Sequence, residues 1–220
     1  MTRRRVAILI SGRGSNMAAL IAAAQAADYP AEIALVLANR PDAKGLAAAR
    51  DARLTTAIVD HTRFGKDREA FERAVQAELE AQAIDIVCLA GFMRLLTPWF
   101  VSRWEGRLLN IHPALLPAFK GLDTHEHALA AGVKIHGATV HFVVPEMDSG
   151  PVIAQGALAV RDDDTAETLA ARVLAIEHKI YPLALRLVAE GRVTVADGRC
   201  RIAGTAASDH ILIVPRFRSS

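Results

Sequence analysis

Residues 5–20 read RVAILISGRGSNMAAL. The run 6–10 is continuously apolar and rich in β-branched residues, as in a strand buried on both faces. Gly12 and Gly14 follow, and an Ala/Leu-rich stretch over 15–27 has helical character. Strand, glycine turn and helix in this order mark the first unit of a parallel α/β sheet. Free backbone N–H groups at the helix start, with the helix dipole, make the turn a phosphate-binding candidate. It is not a Walker loop, because no Gly-Lys-Ser/Thr follows. It also departs from the dinucleotide fingerprint, since Met17 stands where the third glycine belongs. A phosphorylated small molecule suits it better than NAD. The bland alternative is a tight turn with Ser15 as helix cap and no ligand.

The alternation continues downstream. Strands are expected over 33–38, 55–59 and 84–90, with helices over 45–52 and 67–82, the latter carrying Phe71, Val75 and Leu79 at helical spacing. Beyond 109 the pattern changes. Residues 135–144 and 152–160 read as strands with no long helix between them, an antiparallel extension. A long amphipathic helix is expected over 165–190, with Asp162, Asp163 and Asp164 at its positive end and Gly191 at its stop. Residues 193–202, with Asp197-Gly198 in the middle, suggest a small hairpin. The expected fold is a Rossmann-like, mostly parallel sheet with helices on both faces and antiparallel strands at its C-terminal part. The expected organisation is a single domain over 1–220, with a first half (1–105) that carries the phosphate-binding candidate, a second half (106–190) and a small terminal hairpin and tail (191–220).

The chain has 220 residues, 52% hydrophobic and 23% charged, with a net charge of +2. That near-neutral balance argues against a nucleic-acid surface. Arg3, Arg4 and Arg5, and Arg216 and Arg218 at the other end, read as solvated tails. Cys88 lies in the apolar run IDIVCLAGF and reads as core. With Cys200 the only other cysteine, no disulfide framework is suggested and a cytoplasmic setting is expected. No apolar stretch approaches the about 18 residues that span a membrane.

Chemistry concentrates in two further stretches. In RLLNIHPALLP, Asn110 and His112 have the same parity and so share one face of a strand that Pro113 stops. In VVPEMDSGPVI, Asp148 sits in a Pro/Gly turn; it is either a turn former or the partner of a distant imidazole. An amide, an imidazole and a carboxylate with no nucleophile motif suggest oxyanion stabilisation and proton transfer. The cluster Asp123-Thr124-His125-Glu126-His127 raises a metal alternative. It reads instead as a helix start capped by Asp123, on which His125 and His127 diverge, so no metal is expected.

Together, ILISGRGSN, LAGFMRLLTPWFV, GRLLNIHPALLP, GVKIHGATVHFVVPEMDSGPVI and AIEHKIYP resemble the folate-dependent formyltransferases, in particular those that formylate glycinamide ribonucleotide. The Asn-x-His-Pro and Asp-x-Gly-Pro elements are shared across that family. The SGxGSN loop and the Glu-His-x-x-Tyr-Pro stretch favour the glycinamide ribonucleotide branch. The resemblance implies formyl transfer from 10-formyltetrahydrofolate, as co-substrate, to the amine of 5-phosphoribosylglycinamide in purine biosynthesis.

It also implies roles. Asn110, His112 and Asp148 are the catalytic trio, with Asp148 holding His112 charged. Gly14, Ser15, Asn16 and Glu177 hold the phosphoribosylglycinamide. Arg68, Met93, Arg94, Leu95, Leu96, Val144, Pro145, Glu146, Met147, Asn110 and Asp148 form the folate site. A cis Leu116–Pro117 bond is expected beside it. Asp123 stands where some relatives carry His or Asn and receives no role. Expected partners are small-molecule substrates, with no nucleic acid and no membrane, and a monomer or weak homodimer.

Rival readings remain. A methionyl-tRNA formyltransferase is expected to carry a further nucleic-acid-binding domain. A formyltetrahydrofolate hydrolase is expected to carry a regulatory domain ahead of the first strand. A non-catalytic nucleotide-binding module explains the glycine turn but gives no reason for Asn110, His112 and Asp148 to meet.

Overall fold

The computed structural model describes residues 2–204 and 212–215. The first apolar run is strand β1 (Arg4–Ile10), followed by α1 (Ser15–Ala24), β2 (Ala31–Ala38), α2 (Gly45–Asp51), β3 (Thr56–Ile58), α3 (Arg68–Ala81) and β4 (Ile86–Leu89). Then come α4 (Pro98–Arg103), β5 (Leu108–His112), α5 (Thr124–Ala130), β6 (Ile135–Phe142), β7 (Val152–Ala159) and α6 (Ala166–Ala189). The sheet runs β3-β2-β1-β4-β5-β6-β7. Its first five strands are parallel, and β6 and β7 are added antiparallel. The expected fold class is therefore observed, including the point at which the sheet changes sense.

Alternation along β1 explains why both faces are covered. Val6, Ile8 and Ile10 pack with Met17 and Leu20 of α1 and with Val173, Tyr181 and Leu185 of α6. Ala7 and Leu9 point the other way, towards Phe71, Val75 and Leu79 of α3 and Phe100 of α4. Burying such side chains on both faces stabilises each by about 1.5–3 kcal/mol relative to exposure. Tyr181 is fully buried and donates its hydroxyl to the carbonyls of Leu89 (3.0 Å) and Leu109 (3.2 Å). It thereby ties α6 to β5 and to the end of β4, beside the point where the strand order reverses between β1 and β4, the usual place for a ligand crevice.

Several local expectations need correction. Ser15 does not cap α1; Gly14 occupies the cap position at φ 74°, and Ser15 is the first helical residue. Asp123 precedes α5 at φ 53° but makes no capping bond with its side chain. The long helix α6 is started by a Thr165/Thr168 capping box rather than by charge alone. Helix α4, which begins Thr97-Pro98, was not foreseen. Arg3 and Arg5 are no solvated tail: Arg3 donates to the Tyr29 carbonyl (3.0 Å), and Arg5 to Gln82 O (2.9 Å) and Glu32 (2.8 Å). Arg216 and Arg218 lie outside the described residues. The terminal hairpin forms from β8 (Val193–Ala196) and β9 (Arg199–Ile202), with Asp197 and Gly198 both at positive φ. The Leu116–Pro117 bond is cis. No helix among the described residues is long and apolar enough to cross a membrane.

Candidate active site

A cleft of about 710 Å³ opens at the C-terminal edge of the sheet, lined from α1, β4, α4, β5, α5, β6, α6 and the segments that follow β4, β5 and β6. Asn110, His112, Asp148, Asn16 and Glu177 all line it. So do Met93, Arg94, Leu95, Leu96, Val144, Pro145 and Met147. Gly14 and Ser15 lie just outside the lining, next to Asn16, as does Glu146, which faces Lys120 at 3.8 Å. Arg68 is also outside it; its guanidinium donates to the Leu95 carbonyl at 2.8 Å and so shapes the cleft wall from behind.

Strand parity puts Asn110 and His112 on one face of β5, as expected. The antiparallel register sets His141 of β6 directly opposite Asn110, and Thr139 opposite His112. The 143–151 loop brings Asp148 back to this face, with Asp148 itself at φ 51°, a conformation uncommon outside glycine. Asp148 Oδ2 accepts from Gly121 N (2.9 Å) and lies 3.5 Å from His112 Nδ1.

The hydrogen-bond partners decide the proton positions. His112 Nε2 meets the Phe119 carbonyl at 2.8 Å, and a carbonyl only accepts, so Nε2 carries hydrogen. Nδ1 faces a carboxylate, which when ionised also only accepts. A hydrogen on Nδ1, like the one on Nε2, therefore has an acceptor facing it. At 3.5 Å the Nδ1–Oδ2 separation is longer than a close hydrogen bond.

His141 is set the opposite way. Its Nδ1 donates to the Phe142 carbonyl at 2.8 Å, leaving the Nε2 lone pair to face Asn110 Nδ2 at 3.3 Å. Burial pushes this imidazole below the ordinary histidine range, partly offset by the Phe142 hydrogen bond and by Asp148, whose Oδ1 is 3.8 Å away. A neutral His141 thus takes one Asn110 amide proton and leaves the other for the cleft. His141 was missed from sequence; only the β5–β6 register identifies it.

On the other face of the sheet edge, Asn16 Nδ2 donates to Glu177 Oε2 at 2.6 Å, with both residues buried. Burial pushes the Glu177 carboxyl up, and the Asn16 hydrogen bond pulls it back down. Asn16 Oδ1 is buried and has no hydrogen-bond partner among the described residues.

The turn after His112 is held from below. Thr139 Oγ1 donates to Ala114 O (2.7 Å) and accepts from Leu116 N (3.0 Å), while Gln155 donates to Leu116 O (2.9 Å). His125 also lines the cleft, and its Nδ1 is 3.2 Å from His136 Nε2. Among the described residues no group of three His, Cys, Asp or Glu side chains is placed to hold a metal ion. Cys88 is fully buried and burial pushes its thiol up to about 12, which suits core packing rather than nucleophilic chemistry.

Comparison with known proteins identifies the family. The pattern of the formyl transferase family matches residues 4–185. The trifunctional purine biosynthetic protein adenosine-3 of Gallus gallus is 47% identical over 88% of this chain, and the chain spans 19% of that protein's length. The phosphoribosylglycinamide formyltransferase of Escherichia coli strain K12 is 43% identical, with 90% of this chain and 93% of the relative covered. The crystal structure of glycinamide ribonucleotide transformylase 1 from Symbiobacterium toebii superposes with a TM-score of 0.88 at 44% identity, covering 91% of this chain and 94% of that one. With a matching pattern over most of its length and relatives of its own size above 40% identity, this chain belongs to the formyl transferase family.

Proposed function

We propose that the protein is a phosphoribosylglycinamide formyltransferase, moving the formyl group of 10-formyltetrahydrofolate onto the amine of 5-phosphoribosylglycinamide in purine biosynthesis. The observation that carries this reading is the meeting of Asn110, His112 and Asp148 with the Asn16–Glu177 pair in one cleft. One group of residues suits acyl-type chemistry, and the other suits a polar, phosphorylated acceptor beside a helix N-terminus.

The substrate amine attacks the formyl carbon, a C–N bond forms and the carbonyl oxygen becomes an oxyanion. Asn110 and His112 both line the cleft, and in this reading the Asn110 amide and His112 Nδ1 donate to that oxygen. Collapse restores the carbonyl and breaks the bond to the folate nitrogen, which takes up the proton the amine gives up. The His112–Asp148 pair, alone or through a water, lies beside that proton's path. Gly14, Ser15 and Asn16 receive the phosphoribosyl end, and Glu177 takes its hydroxyl or amine hydrogens. Met93, Arg94, Leu95, Leu96, Val144, Pro145, Glu146 and Met147 hold the folate. Asn110 and Asp148 face its reacting end. Arg68 either reaches the far end of the folate or acts through Leu95.

In this reading residues 1–220 act as one domain, with the phosphate-binding and catalytic halves sharing one sheet. The enzyme works in the cytoplasm without metal or nucleic acid, as a monomer or weak homodimer. The test is release of tetrahydrofolate product from 10-formyltetrahydrofolate with and without phosphoribosylglycinamide. Turnover only with the ribonucleotide is expected. Equal turnover without it makes the protein a hydrolase, and none in either case returns the non-catalytic module.

A further inference from the structure

Residues 91–96 form the wall of the cleft that follows β4, and 91–97 have no regular secondary structure. Met93 and Leu95 are each 64% exposed on it, a large apolar exposure for side chains that border a cavity. A wall of this kind keeps its shape only if its backbone is tied down. Three side chains do so. Ser11 Oγ accepts from Met93 N (2.8 Å), Arg68 donates to Leu95 O (2.8 Å), and Glu72 accepts from Thr97 N (2.7 Å) and from the Thr97 hydroxyl.

Glu72 is the unusual member. It sits on α3, contributes nothing to the cleft lining, and is only 1% exposed. Burying a carboxylate is costly unless it is paired and hydrogen-bonded, and among the described residues no ion pair involves Glu72. Both its oxygens go to Thr97. Thr97 is the cap residue of α4, yet its side chain makes no capping bond there; its hydroxyl is given to Glu72 instead. A threonine that merely started α4 would cap it, which is the ordinary and cheaper arrangement.

We infer that Glu72 is a positioning residue for the formyl-donor wall: through Thr97 it fixes the backbone of residues 93–96 against which the donor packs. This rests on the proposed function for the identity of the donor. A wall preorganised in the free protein saves the ordering cost on binding, so its loss appears in donor affinity before anything else.

The test is steady-state kinetics of Glu72→Leu and Glu72→Gln, with thermal melts of each. Glu72→Leu is expected to raise the KM for 10-formyltetrahydrofolate about tenfold, with the acceptor KM and kcat within about twofold. Glu72→Gln is expected to restore the donor KM, because its carbonyl accepts the Thr97 N–H and its amide donates to the hydroxyl oxygen. A donor KM unchanged in Glu72→Leu overturns the inference. So does an equal rise for both substrates with a fall in kcat, which marks a purely structural role. If Glu72→Leu does not fold, Thr97→Ala reads the same effect, with a donor KM up about threefold expected and no change overturning it. A wild type that transfers no formyl group overturns the proposed function instead; donor binding by calorimetry then still reads the effect of Glu72.

Discussion

His141→Phe isolates the contact that sets the Asn110 amide. Phenylalanine keeps the ring volume in a side chain only 3% exposed, but it removes the Nε2 acceptor for Asn110 and the Nδ1–H donor to Phe142 O. A neutral hydrogen bond contributes about 1 kcal/mol, so simple loss of the Asn110 contact lowers kcat about fivefold. If the freed amide turns its oxygen to the cleft, the oxyanion loses a donor and the cost rises to about 100- to 1,000-fold. The predicted fall in kcat therefore lies between about 5- and 1,000-fold, with both KM values little changed.

The unpaired Phe142 carbonyl adds a stability cost of about 1–3 kcal/mol, readable as a Tm lower by about 2–12 °C. Two-substrate kinetics below that Tm separate the effects. The wild-type pH profile is a second readout. Burial holds His141 neutral to below the ordinary 6.5, so its contribution is present above that pH and lost as protonation turns Nε2 from acceptor to donor. His112 and Asp148 face the same region, so the His141 limb is the part of the profile missing in His141→Phe. A kcat within twofold of wild type, at a pH where the variant is folded, refutes the assigned orientation of Asn110.

Gly150→Ala puts a Cβ 1.8 Å from the Phe142 carbonyl oxygen, a contact that only backbone movement relieves. The Asp148 turn shifts with it, so both Tm and kcat are expected to fall, and an unchanged melt contradicts the packing described. Burial pushes His136 from the ordinary 6.5 to about 4. The unfolded chain therefore binds the extra proton first: the stability this group contributes is full above pH 6.5 and is lost as pH falls towards about 4. Denaturant unfolding across that window should show a slope that His136→Phe reduces. Glu177→Gln keeps the acceptor for Asn16 Nδ2 but removes the charge. A rise in acceptor KM with an unchanged donor KM is expected.

What could be read from the sequence follows from which signals are local. The run 6–10 and the glycines after it are local, and they led to the parallel half of the sheet. The shared face of Asn110 and His112 follows from the two-residue period of a strand. Asp148 in its Pro/Gly turn reads first as a turn former, with a distant histidine as the alternative partner, and the family resemblance put it in the trio with His112. His141 was invisible because its role depends on pairing register between β5 and β6, which no local pattern states. Glu72 lies beside the apolar stripe of α3 and looks like a surface acid until α4 is packed against it. Helix α4 itself is six residues long, too short to show a period. The cap of α1 went to Gly14 because its φ of 74° is one that glycine adopts without strain.

The central claim is that this cleft transfers a formyl group with His112 as a protonated donor to the oxyanion. Its most direct measurement is kcat for ribonucleotide-dependent release of tetrahydrofolate in wild type and His112→Ala, with binding of both substrates measured separately by calorimetry. The account predicts that the variant binds both substrates within a few-fold of wild type and loses about 100-fold or more in kcat. A variant that still turns over near the wild-type rate, or a loss that lies wholly in binding, contradicts it.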